Sequence, residues 1–397
     1  MKLYRWIKAA VVASVAIAAF GPAHVAVAAE PYEINVILSM TGPGTFVGQG
    51  QWQAIQIAET AINKAGGING RPVKFILKDD ASNPQVDIQL TQAFIAAKVP
   101  LVIGPSLTAS CNAIMPLVAN GGPVMYCLTA GAKPTPGGYV FSTLTSTPDL
   151  IAVAMRYFRE RGWKKMAYLV TTDASGQDAE QGILQDAALP ENKGIEIVDR
   201  EHFGAGDISI SAQLARIQAA KPDVLLAWAT GTPGGTALRG MHDAGLSIPV
   251  LLSPGNMTEP FTKQYGPVLT DVSFLPGMAY YGGTSGVDAK TRAAMNLLVT
   301  SFHAAGAVPD QVAISSWDPT MFVVDTLRHV GLDTSATKLR DAMISSKGWV
   351  GANGAYDYPQ YEQRGIGQGA IVMVRWDTAR SEFVPVSKLG GQPLNGR

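Results

Sequence analysis

Short apolar runs alternate with segments of helical spacing along most of this chain, and that alternation limits the available folds more than any other feature. Runs at 33–38, 73–78, 101–103, 124–126, 166–170, 195–198, 224–227 and 250–252 read as strands. Helical segments separate them at 51–64, 85–97, 108–119, 150–160, 176–187, 209–219 and 234–243. In the first of these Trp52, Ile55, Ala58 and Ile62 recur at helical spacing. Short strands that are apolar throughout, each followed by a helix, predict parallel sheets covered on both faces. Two such series predict an α/β protein of two doubly wound lobes. Longer helices follow at 289–304 and 313–330, with a C-terminal strand at 369–376.

The N-terminus carries a different signal. Lys2, Arg5 and Lys8 precede an apolar run at 9–20, and small residues lead to Ala28 and Ala29. This is the layout of a secretory leader, 1–29, cut after Ala28 or Ala29. Its apolar core is shorter than the ~20 residues a membrane span needs. The expectation is a mature chain from residue 30 that works in the periplasm, without a lipid anchor because no Cys stands at the cut. Removing the leader's three basic residues leaves 28 basic against 31 acidic. Such a balance does not suit nucleic acid or an anionic membrane as partner.

Enzyme signatures are weak. Gly42, Gly44 and Gly48 follow a strand, but their G-x-G-x-x-x-G spacing is one residue too long for a dinucleotide loop, and Pro43 removes a backbone donor. There is no G-x-S-x-G elbow. The five His (24, 202, 242, 303 and 329) lack metal-ligand spacing. No cofactor and no metal is expected, and no catalytic residue is assigned.

Ligands of parallel α/β sheets sit outside the carboxyl ends of the strands. The loops at 39–50, 104–110, 127–133, 171–176, 230–235 and 253–259 occupy those ends, and most are rich in Ser, Thr and Gly. Helix N-termini following such loops offer unpaired N–H groups to a carboxylate. The same hydroxyls also serve as ordinary helix caps.

Residues 61–73, AINKAGGINGRPV, resemble the signature of periplasmic binding proteins of the branched-chain amino acid (Leu/Ile/Val) transport type. Ser39-Met40-Thr41-Gly42-Pro43, Val102-Ile103-Gly104-Pro105-Ser106, Leu238-Arg239 and Ala244-Gly245 extend the resemblance over nearly all of the mature chain. It implies two lobes joined by three crossovers, which close on a ligand and deliver it to an ABC permease with ATPase subunits. With the helix–strand alternation it predicts one lobe from 30–144 and 279–356, a second from 145–278 and 357–397, and hinges near 142–147, 276–279 and 354–358. The expected molecule is a monomer. A receptor's ligand-sensing domain and a periplasmic enzyme remain as other classes.

Carried over residue by residue, the resemblance implies a carboxylate grip at Thr108, with Ser106 beside it, and at the turn Leu128-Thr129-Ala130. There the family's Thr falls on Ala130, so either its hydroxyl is absent or Thr129 replaces it. The family's aromatic lid falls on Ser175. Its Glu, the partner of an amino acid's ammonium, falls on Gly255. Thr230 and Asn256 belong to the loops of the second lobe that face the same cleft. Phe46, Tyr126, Met278, Tyr280 and Tyr281 either pack on a ligand ring or serve the core and hinges. A site without that Glu leaves a buried ammonium unpaired, at a cost of ~1–3 kcal/mol. The expected ligand is therefore an aromatic or otherwise bulky acid lacking an α-amino group. The alternative is a branched-chain or aromatic amino acid whose ammonium is met by Asp173 or Glu259. The family's own disulfide would fall on Ser82 and Leu107 and is absent. Cys111 and Cys127, the only two cysteines, form either a bridge between a helix start and the end of the next strand or a free buried pair.

Overall fold

The computed structural model describes residues 30–284 and 287–394. The expected leader therefore lies outside the described residues. No helix among the described residues is long and apolar enough to cross a membrane.

Two sheets organise the chain. The first holds β1 (Tyr32–Leu38), β2 (Val73–Asp79), β3 (Leu101–Ile103), β4 (Val124–Cys127) and β5 (Val140–Ser142), in the order β2-β1-β3-β4-β5. All of its pairings are parallel. The second sheet starts with β6 (Lys165–Thr171), β7 (Glu196–Phe203), β8 (Val224–Trp228), β9 (Val250–Leu252) and β10 (Ser273–Met278). Farther along the chain, β11 (Lys347–Gly351) and β12 (Gly354–Asp357) form a hairpin. The second sheet then ends with β13 (Ile371–Asp377) and β14 (Glu382–Pro385), giving the order β14-β13-β10-β9-β8-β6-β7.

Burial explains the strand composition. In β8, Leu225 and Ala227 enter one core while Val224, Leu226 and Trp228 enter the other. Ala167 and Leu169 of β6 part from Met166, Tyr168 and Val170 in the same way. Period-two division with both faces apolar is what helices on both sides require. Two features depart from the all-parallel expectation. The pairings β10–β13 and β13–β14 are antiparallel, because the chain re-enters the second sheet from the opposite end and then turns back on itself.

The chain crosses between the sheets after β5, after β10 and before β13. Tyr358 and Ile366 are buried in the first core. By Gln368 the chain meets the second side, where its Nε2 donates to Asp149 Oδ1 at 3.0 Å. The third crossing thus falls after Ile366 rather than at 357. The helix Gln311–Val330 buries 15 of its 20 residues. Among them Asp318 accepts from the N–H groups of Ala352 and Asn353 and from the Tyr356 hydroxyl, which fixes the β11–β12 hairpin. Burial raises its carboxyl above the usual range, against the pull of those bonds. In the signature segment 61–73, Asn63 exchanges two hydrogen bonds with the Val73 backbone, at 2.7 and 2.8 Å. That part of the signature holds a helix against β2.

Candidate ligand-binding cleft

In both sheets the strand order reverses direction at a crevice, between β1 and β3 in the first and between β6 and β8 in the second. Ligand sites form at such switch points. A cavity of about 140 Å³ lies at both crevices together. Its first wall comes from the loops after β1, β3 and β4, with Gln311, Val312 and Ser315 added by the returning helix. Its second wall comes from the loops after β6, β8 and β9. The walls touch around it: Lys133 Nζ lies 2.7 Å from Asp178 Oδ1, and Phe46 packs on Phe261 at 6.0 Å.

On the first wall Thr108 Oγ1 and Thr129 Oγ1 lie 3.0 Å apart. One hydroxyl proton serves that bond, which leaves the other for an acceptor in the cavity. Thr108 opens the helix Thr108–Val118, whose N-cap residue, Leu107, supplies no side-chain bond. The first-turn N–H groups and the helix dipole thus favour an anion at this spot. The turn backbone packs closely here. A Cβ placed on Gly131 would lie 2.4 Å from Thr108 Oγ1.

Ser106 lines the cavity, but its hydroxyl is used by the fold. It donates to Gln51 Oε1 at 2.6 Å and accepts from the Ser39 N–H at 3.2 Å. Gln51 in turn donates to the Leu128 carbonyl at 2.9 Å. This buried strut ties the loops after β1, β3 and β4 together. Half-buried Arg364 braces the same region from behind. It donates to the carbonyls of Ala130 and Ala132 and to Ser142 Oγ. Burial draws its pKa down to about 10.

On the second wall Asp173 caps the helix Ala174–Ala187. Its Oδ1 accepts from the N–H groups of Ser175 and Gly176 and from Thr171 Oγ1. Thr230 Oγ1 and Ser253 Oγ form a pair at 2.7 Å. Gly255 lies beside them, and a Cβ there would come within 2.6 Å of Thr230 Cγ2. Among the lining residues Asp173 is the one ionisable side chain. The remainder of the surface is largely apolar, with Val47, Leu107, Leu128, Leu144, Val312 and Trp228.

The structure brings Ser106, Thr108, Leu128, Thr129, Ala130, Ser175, Thr230 and Gly255 to the cavity. Three further expected residues do not line it. Phe46 turns into the second side's apolar core, on Phe261 and Tyr265. Tyr280 packs edge-on against Tyr281. Asn256 is buried as a strut, accepting from the Gly231 N–H and donating to the Ala229 carbonyl. Glu259 is also outside: half exposed, it pairs with Lys263 at 2.7 Å. Tyr126 and Met278 serve the core, Tyr126 bonding the Tyr358 hydroxyl at 2.7 Å. Trp228, Gln51, Gln311 and Leu144 were not anticipated. Trp228 is the residue after the strand read at 224–227, so strand-end position was the available signal.

Cys111 and Cys127 are joined in a disulfide, with their Cα atoms 6.1 Å apart. Of the two readings of the cysteines the structure holds the bridged one.

A sequence profile of the periplasmic binding protein family matches residues 31–381, and the chain belongs to that family. It is 29% identical over 227 residues to a Leu/Ile/Val-binding protein homologue of Brucella melitensis, covering 56% of this chain and 61% of that protein. The chain spans 61% to 62% of the length of three of the curated relatives that it matches. Among solved structures, a solute-binding protein of an ABC transporter from Rhodopseudomonas palustris, in complex with benzoate, superposes with a TM-score of 0.77 at 18% identity, over 92% of this chain and 98% of that one. The branched-chain amino acid binding protein LivJ of Streptococcus pneumoniae, in complex with isoleucine, gives a TM-score of 0.75 at 17% identity, over 90% and 99%. At those identities the likeness is one of fold, that of a type I periplasmic binding protein.

Proposed function

We propose that this protein is the exported solute-binding component of an ABC importer, and that it traps a small aromatic or otherwise bulky carboxylate without an α-amino group. The observation that carries the reading is the asymmetry of the cavity. One wall offers hydroxyls and an uncapped helix start to an anion. The opposite wall has Gly255 where the family's resemblance places an ammonium-binding Glu. The volume also suits a single ring, since a cavity of roughly 150 Å³ holds benzene. Trp228 and the surrounding Leu and Val side chains supply apolar contact for it. The two lobes are the expected closing bodies, with export, the permease contact and the monomeric state following from the family. A thermal-shift screen of the mature protein against benzoate, phenylpyruvate, phenylalanine and leucine tests this, because a ligand present at about 100 times Kd stabilises by ~2.7 kcal/mol. The acids are expected to raise Tm and the amino acids not to.

A second reading has its own observation. Asp173 lines the cavity and one of its oxygens accepts all three of the hydrogen bonds that hold it in place, so the other is available to an ammonium. On that reading an amino acid binds, as the names of several relatives say of those proteins.

A further inference from the structure

We propose that the Cys111–Cys127 bridge is a positioning element of the ligand site: it fixes the helix that carries Thr108 against the turn that carries Thr129, and so sets the carboxylate grip itself. This rests on the reading of Thr108 and Thr129 as that grip.

Cys111 lies one helical turn beyond Thr108, and Cys127 ends β4 two residues before Thr129. The bridge therefore spans, from behind, the same two elements whose hydroxyls meet at 3.0 Å in front. Both cysteines are completely buried. The other ties lie ahead of the helix: the Ser106–Gln51–Leu128 strut joins the loop before it to the turn. The Leu128 N–H donates to the Pro105 carbonyl at 2.9 Å, ahead of the helix. The Thr108–Thr129 bond joins two hydroxyls that each rotate freely. The helix itself is weakened at its start and in its interior. Leu107 gives it no side-chain cap, and Pro116 removes a backbone donor from its interior. A grip built from N–H groups and hydroxyls tolerates displacement of only about 0.5 Å. The covalent link supplies that precision one turn inside the helix, beyond the hydrogen bonds that hold the loop before it.

A double-mutant cycle tests this. Cys111→Ala/Cys127→Ala, Thr108→Ala and the triple variant are titrated with benzoate and with leucine, two carboxylates, well below the Tm of each ligand-free variant. Positioning predicts coupling. Loss of the bridge weakens carboxylate binding while the Thr108 hydroxyl is present but adds little in the Thr108→Ala background, a coupling of roughly 3- to 30-fold. Independent, multiplying losses, or unchanged affinity with a lowered Tm, would make the bridge a stability element only and overturn the proposal. If the Ala pair does not fold, the same comparison is made by reducing the unmodified protein and the Thr108→Ala variant, which keep both sulfurs. A phosphine gives two electrons to the S–S bond, water gives two protons to the thiols, and its oxygen leaves as phosphine oxide. Global unfolding on reduction also overturns the proposal. Benzoate bound with uncoupled losses would defeat positioning and leave the aromatic-acid reading intact. Leucine bound, benzoate ignored and coupled losses would do the reverse, and binding of neither would defeat both.

Discussion

The two walls of the cleft are built on similar switch points but differ in how much of their chemistry is committed to the fold. On the first wall a disulfide, the Ser106–Gln51 strut and Arg364 stiffen the turns around Thr108 and Thr129. On the second, Asp173 caps a helix, Thr230 and Ser253 pair with each other, and Gly255 contributes no side chain. A stiff wall that meets the group common to many ligands can be shared across relatives. A wall whose residues change sets which ligand is taken. On the proposed reading, the family's common grip is kept on one side while selectivity rests on the other.

The largest expected effect strikes the second wall's structure. Trp228 is 3% exposed and belongs both to a core and to the cavity surface. Trp228→Ala should lower stability by ~3–5 kcal/mol, measured by denaturant melts. It should also abolish preference for an aromatic acid over a short aliphatic one. Retained preference would place the ring elsewhere.

Thr108→Ala strikes the first wall. Hydrogen bonds to a charged group are worth ~1.5–3 kcal/mol, so the change should weaken an acid roughly ten- to a hundred-fold by calorimetry. An effect under about threefold would remove Thr108 from the grip. Gly255→Glu should act in the smaller, opposite sense for the two ligand classes. Its Cβ must displace Thr230 Cγ2, 2.6 Å away, and its charge repels a carboxylate. Acid affinity should fall several-fold, while an amino acid gains a partner for its ammonium.

A further expectation concerns pH and lies behind the first wall. Asp80 and Asp87 are both wholly buried, and the facing ionisable groups are these two and Asp79, with no cation among them. Burial pushes Asp87 up to about 7, with the neighbouring Asp80 adding to the rise. A carboxyl raised on folding contributes stability that is complete below its unfolded pKa, ~3.9, and is lost as pH rises through about 7. Asp87→Asn should therefore flatten the decline in Tm between about pH 4 and pH 7. An unchanged slope would show that Asp87 is ionised throughout.

The sequence was most readable where local pattern and buried face coincide. Strands such as 101–103 and 250–252, and the helix 289–304, stand where apolar runs and spacing place them. The loops after strands pointed to the cleft for the same reason, since topology alone puts strand ends together. Individual contacts were less readable, because they depend on where distant segments return. Gln311 reaches the cavity from the third pass of the chain. Phe46 has the cleft's sequence position, yet packs edge-on against the Phe261–Tyr265 pair of the second side. The antiparallel β13 and β14 were similarly hidden, as strand direction is set by the crossing before Ile371 and not by composition.

The claim that the second wall selects against an ammonium is tested most directly by isothermal titration of the unmodified mature protein with phenylpyruvate and phenylalanine, which differ at the α-carbon. The account predicts that phenylpyruvate binds and that phenylalanine is at least about tenfold weaker, since an unpaired buried donor costs ~1–3 kcal/mol. Tighter binding of phenylalanine would contradict it, and would make Asp173 the partner of the ammonium.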